Sequence, residues 1–199
     1  MKRYDCLKVL ASEVSDEALT VVTIGGMRHE WHHLRPSPAN FYMNNMGGSA
    51  SVGLGLALAL PHRKIVVVDG DGALLLNLGI LATISMHAPP NLVHMVFDNQ
   101  VYDSVARVPT ATAGKVDLAG MARSAGIEHS YLVHDLEGFK ERCHQALNTN
   151  ANSFVCAKVE PGTADVPDLP VDHIEVKLRF VRYLEKTENL KIHGLPPLD

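Results

Sequence analysis

The chain has few of the features that would commit it to several large protein classes. Its 3 cysteines, Cys6, Cys143 and Cys156, lie far apart in the sequence. They make neither a zinc-binding spacing nor an even disulfide framework, so they are expected to be reduced core thiols. There is no run of about eighteen apolar residues that could span a bilayer, so no membrane partner is expected. Met1 to Cys6 leads into a helical pattern rather than a secretory leader, which makes the expected location cytoplasmic. The net charge of -4 lacks the basic excess of a nucleic-acid binder. Internal repeats are absent too. What the chain does have is 199 residues that are 46% hydrophobic, enough for one full α/β core and short of two.

Its pattern alternates helices with strands. Leu7, Leu10 and Val14 mark a first amphipathic helix, and Leu19 to Ile24 a strand stopped by Gly25-Gly26. Gly47 to Leu60 reads as a small-residue helix able to lie close to a sheet, Lys64 to Asp69 as a strand, and Ala73 to Ala88 as one helix closed by Pro89-Pro90. Asn91 to Phe97 is the next strand. Asp117 to Ala125 is helical, His129 to Val133 a strand, Asp135 to Leu147 a helix capped by Asp135, and Phe154 to Val159 the last strand. These elements predict a single α/β domain over residues 1–160, built on a doubly wound parallel sheet. Residues 161–199 are expected to form a linker, Pro161 to Pro170, and an amphipathic helix whose stripe Ile174, Leu178, Val181 and Leu184 packs on a neighbour.

The chemistry concentrates at two strand ends. Val66-Val67-Val68 runs into Asp69-Gly70-Asp71-Gly72, which delivers the Asp71 carboxylate to the crevice where open α/β sheets bind phosphates. One strand–helix–strand unit later, Asp98-Asn99 brings an amide to the same edge. One carboxylate, one amide and loop carbonyls form a sparse oxygen site suited to Mg²⁺, which completes its shell with water and substrate phosphates.

Gly70-Asp71-Gly72 followed downstream by Asn99 resembles the motif of the thiamine diphosphate enzymes. The likeness extends to Asn40 through Leu58, with Asn44-Asn45-Met46-Gly47-Gly48, and to Pro109-Thr110 and Val116-Asp117-Leu118-Ala119. Across residues 4 to 160 the chain looks most like the sulfopyruvate decarboxylase β subunit and the corresponding half of phosphonopyruvate decarboxylase. The resemblance implies a thiamine diphosphate-binding fold with thiamine diphosphate and Mg²⁺ as cofactors. Asp71, Asn99 and the Val101 carbonyl would ligate the metal, and Gly72 and Ala73 would offer backbone N–H groups to the diphosphate. Met46 would support the bend of the cofactor, backbone groups of Asn44 and Met46 would hold the pyrimidine ring, and Asn45 and Tyr102 would also contact the cofactor. Arg28 or His29, in the loop after the first strand, would reach the diphosphate.

The implied reaction is the non-oxidative decarboxylation of a 2-oxo acid through the cofactor's ylid. The implied partner is a pyrimidine-binding α subunit that supplies the activating glutamate, within a homo- or hetero-oligomer. A carboligase half of the acetolactate synthase type, and a non-catalytic cofactor-binding scaffold, are the alternatives. Three departures from the family pattern bear on these: Ala73 stands for Ser, Asp103 for Gly, and Asn44-Asn45 for Gly-Ser. A carboxylate at Asp103 would repel an anionic substrate if it faced the pocket.

His29-Glu30-Trp31-His32-His33 also contains His-Glu-x-x-His, in which two histidines one helical turn apart bind zinc and the Glu is a base. Gly25-Gly26 before it and Pro36 and Pro38 after it leave little more than two turns, so the segment reads as a loop or short turn and the zinc peptidase as a lesser alternative. His62, His87 and His94 have no partner in sequence and are expected at the surface or satisfied in the core.

Overall fold

A computed structural model describes residues 1–192. Six strands form a parallel sheet in the order β2-β1-β3-β4-β8-β7: β1 Leu19–Val22, β2 Asn40–Tyr42, β3 Ile65–Gly70, β4 Leu92–Asp98, β7 His129–Val133 and β8 Ser153–Lys158. A small antiparallel pair, β5 Val101–Tyr102 and β6 Val108–Pro109, lies outside it. β3 and β4 are buried along nearly their whole length, as their β-branched and apolar residues require in a sheet covered on both faces.

Helices cover the two faces. Side chains of α1 (Arg3–Glu13), α2 (Gly26–Leu34) and α7 (Leu136–Asn148) share one core with Val22, Val66, Val68, Met95 and Val155. Those of α3 (Ser49–Ala59), α5 (Ile80–His87) and α6 (Leu118–Ser124) share the other with Val21, Val67, Val96 and Phe154. The connection leaving β1 therefore crosses one face and the one leaving β3 crosses the other. Two adjacent strands with diverging connections open a crevice at their carboxyl ends, and that is where the site lies.

The predicted small-residue helix lies tight on the sheet: a Cβ on Gly53 of α3 would overlap Val67 Cγ2 of β3. Asp135 caps α7 by accepting from the Gly138 N–H at 2.8 Å. The three cysteines are free and buried. Burial pushes the Cys6 and Cys143 thiols up to about 12, which keeps them un-ionised at neutral pH.

Several elements differ from the sequence expectation. The segment after Gly26, read as a loop, is the nine-residue helix α2. Its indole anchor explains this: Trp31 is fully buried, and its Nε1 donates toward Thr20 Oγ1 at 3.2 Å and Asn40 Oδ1 at 3.3 Å. Asn40 belongs to the edge strand β2, which three residues of mixed polarity do not announce. The helix expected over 73–88 is two helices, α4 (Asp71–Leu75) and α5, broken around Leu76–Gly79. Among the histidines, His62 and His87 are exposed. His94 is instead buried at 2% exposure, 3.4 Å from Asp69 Oδ2, and neither ring nitrogen completes a hydrogen bond.

The C-terminal segment also departs from expectation. The linker after Pro161 is strapped across α2 rather than free: Ala164 N–H donates to Glu30 Oε1 at 2.7 Å and Leu169 N–H to His29 Nδ1 at 2.8 Å. α8 (His173–Thr187), capped by Asp172, buries Val176, Phe180 and Leu184. Phe180 packs against Phe41 of β2 in its own chain, the rings tilted with centroids 5.2 Å apart, while Ile174 stays exposed. Residues 193–199, the end of the expected C-terminal segment, lie outside the described residues.

Candidate functional site

The crevice holds a cavity of about 410 Å³. Asn44, Asn45, Met46, Asp71, Gly72, Ala73, Asn99, Val101 and Tyr102 all line it, from the three loops that follow β2, β3 and β4. Arg28 and His29 do not. α2 turns them outward: His29 Nδ1 accepts from Leu169 N–H, and Arg28 Nε lies 3.4 Å from His29 Nε2. Gly25 opens α2 at φ 101, a backbone geometry that disfavours a side chain, and with Gly26 it brings bare main chain to the cavity.

Asp71 is the electrostatic centre. It is 2% exposed and has no basic partner among the described residues, and burial raises its carboxyl above the ordinary aspartate value. The hydroxyls of Thr110 and Thr112 oppose that shift, at 2.6 and 3.0 Å from Asp71 Oδ2, and the nearby Asp98 carboxylate adds to it. Thr112 Oγ1 is also 2.7 Å from Asp98 Oδ1. The threonines have one proton each, so the shorter contacts define the pattern: Thr110 donates to Asp71 and Thr112 to Asp98. Asp98 is neutralised by Lys158 Nζ at 2.6 Å, whereas Asp71 is a buried carboxyl with no basic partner among the described residues.

Asn99 supplies the second oxygen. Its Oδ1 accepts from Val101 N–H at 3.2 Å, a turn that fixes the amide and brings Val101 to the cavity wall. An uncompensated carboxylate, a fixed amide oxygen and a loop carbonyl suit a hard divalent cation that keeps water or phosphate in its shell. A Cβ on Gly72 would lie 2.5 Å from Tyr102 Cε1, so the glycine admits the tyrosine ring against the start of α4. Asn44 and Asn45 are exposed at the mouth and Met46 is half-buried. Asp103 does line the cavity, but Arg107 Nε meets its Oδ1 at 3.0 Å.

Sequence reasoning missed Thr110 and Thr112 as site residues. The available signal was a Thr-x-Thr directly after a Pro, in a loop returning to the metal edge. It missed Arg3 and Thr163 as well, which reach the cavity from α1 and the strap and carry no local motif.

The zinc reading of His29-Glu30-x-x-His33 is corrected by the same geometry. Glu30 is 1% exposed, with both oxygens committed to Arg3 and Ala164, His29 is taken by the strap and His33 is exposed. No three His, Cys, Asp or Glu side chains gather as a metal site among the described residues.

A parallel α/β sheet with an acidic glycine turn and a downstream amide at one crevice is the setting in which open α/β folds bind a phosphate-bearing cofactor. Residues 23–157 match the family described as "Thiamine pyrophosphate enzyme, C-terminal TPP binding domain", and the chain belongs to it.

Among relatives, the chain is 35% identical to sulfopyruvate decarboxylase subunit beta of Methanothermobacter thermautotrophicus, over 92% of this chain and 95% of that one. It is 39% identical to phosphonopyruvate decarboxylase of Streptomyces viridochromogenes, over 89% of this chain but only 45% of that longer protein. In fold it superposes on benzoylformate decarboxylase from Polynucleobacter necessarius with a TM-score of 0.68 at 16% identity, over 82% of this chain and 34% of that one. No described helix is long and apolar enough to cross a membrane.

Proposed function

We propose that this chain is the thiamine diphosphate- and Mg²⁺-binding subunit of a cytoplasmic, oligomeric 2-oxo acid decarboxylase of the sulfopyruvate and phosphonopyruvate type. The carrying observation is Asp71: a buried carboxylate without a basic partner among the described residues, beside a fixed amide, on the wall of a cavity that bare backbone and Met46 also line. Asp71, Asn99 and the Val101 carbonyl hold the metal. Gly72 and Ala73 present backbone donors at the start of α4, while Asn44, Asn45, Met46 and Tyr102 border the remainder of the bound molecule. When bound, thiamine diphosphate supplies the carbon nucleophile and the electron sink for loss of CO₂. The chain's own part is to orient that group and to keep its surroundings dry.

The cavity wall contains no glutamate among the described residues; of its acids, Asp71 is assigned to the metal and Asp103 is paired with Arg107. The group that promotes deprotonation of the cofactor is assigned to a pyrimidine-binding α subunit, a reading supported by the relatives that are named subunit beta. The cofactor-binding unit occupies residues 1–160, and the segment after it fastens α2. Release of CO₂ from sulfopyruvate and phosphonopyruvate, by the chain alone and with the subunit that co-purifies with it, tests the reading. Turnover is expected only with the partner; turnover by the isolated chain would refute the two-subunit assignment.

A further inference from the structure

Arg3 is the one basic side chain among the described residues that line the cavity. It comes from the first turn of α1 and is 8% exposed. Its Nε donates to Glu30 Oε2 at 2.7 Å and its Nη2 to Thr163 Oγ1 at 3.2 Å. No described residue accepts from Nη1, so one edge of a fixed guanidinium remains open. Glu30 cannot swing away, because its other oxygen accepts the Ala164 N–H.

The position of this group indicates what it binds. A Cβ on Gly26 would overlap Thr163, so the strap fills the space that a side chain at the start of α2 would take. Gly25 caps α2 without a side-chain hydrogen bond, and while Arg28 N–H donates to the Gly25 carbonyl, the Gly26 and Met27 N–H groups have no acceptor among the described residues, on the cavity that Arg3 also lines. β1 and β3 are paired neighbours, about 4.8 Å apart, so this corner adjoins Asp71. Asp71 and Arg3 line the same cavity, so a ligand with two linked phosphates can meet a cation on Asp71 with one and the guanidinium with the other. An arginine fork matches phosphate oxygens in geometry as well as charge.

We propose that Arg3 binds the terminal phosphate of the cofactor's diphosphate, with Thr163 and the amide end of α2 completing the seat. The proposal rests on the cofactor reading above. It makes the N-terminal helix and the C-terminal strap part of one ligand site.

The test uses the full chain in the assembly in which it is isolated, titrated calorimetrically at fixed Mg²⁺ with thiamine diphosphate and with thiamine monophosphate. Arg3→Gln is expected to weaken the diphosphate by about ten- to a hundredfold, the worth of a charge-assisted hydrogen bond, and the monophosphate by less than about threefold. Arg3→Lys should recover part of the loss. Arg3→Gln combined with Glu30→Gln, which leaves no unpaired buried carboxylate, should keep the melting temperature near wild type and still show the selective loss. Unchanged diphosphate affinity in Arg3→Gln, equal weakening of both ligands, or a loss seen only in the KM of an anionic substrate would each overturn the assignment while leaving the cofactor reading intact. Failure of the wild type to bind either ligand would overturn both.

Discussion

At the scale of single residues the site is organised around one expensive charge. Asp71 is held out of water with its carboxyl raised, so in the metal-free protein its ionised form costs folding free energy above that raised value, and the cost is relieved as pH falls through it. Asp71→Asn should therefore make the metal-free chain more stable at neutral pH, and the difference from wild type should close on acidification; denaturant titrations at several pH values measure it, and a less stable variant would contradict the account. The two threonines are the counterpart. Thr112→Val keeps the volume but removes the proton given to Asp98, leaving a buried acceptor short by about 1–3 kcal/mol. Loss of that stability is expected together with weaker Mg²⁺ binding, since the carboxylate pair is no longer tethered; an unchanged unfolding midpoint would remove Thr112 from this role.

At the scale of elements, α2 and the strap over it form the hinge between fold and function. His29 accepts from Leu169 N–H, and burial lowers its pKa below the usual histidine value, with Arg28 adding to the shift. A lowered folded pKa means this contribution is present above the unfolded value of about 6.5 and is lost as pH falls through the folded one. The protonated ring retains an attraction to Asp168 at 3.4 Å, but Asp168 is almost fully exposed and the pair is weak. Hydrogen exchange at Leu169 should thus accelerate on the acid side beyond the intrinsic rate, and in His29→Gln at every pH; protection that ignores both changes would refute the strap contact. The elements that pattern reading found are those with strong periodicity or caps, such as β3, β4 and α7 with Asp135. Those it missed have tertiary causes: β2 pairs through three residues, α2 is held by one buried Trp, and the break at Leu76–Gly79 interrupts an apolar run without a proline.

At the scale of the whole molecule, the site was legible wherever a local motif carries the chemistry. Gly-Asp-Gly, Asn99 and the Asn44–Met46 segment each follow a strand, and a parallel sheet brings strand ends together without further instruction, so these residues converge on one cavity. Arg28 and His29 were placed by chain position alone, and the helical phase of α2 turns them away. Arg3 and Thr163 lie at opposite ends of the chain and meet only after folding, which no spacing reveals. The central claim is that a divalent cation on Asp71 and Asn99 joins this chain to a diphosphate. Calorimetric titration of thiamine diphosphate into the isolated assembly, with Mg²⁺ and with a chelator, in wild type and Asp71→Asn, tests it most directly. Binding that requires the metal and disappears in the variant is the predicted result; binding of equal strength without metal, or undiminished in Asp71→Asn, would contradict it.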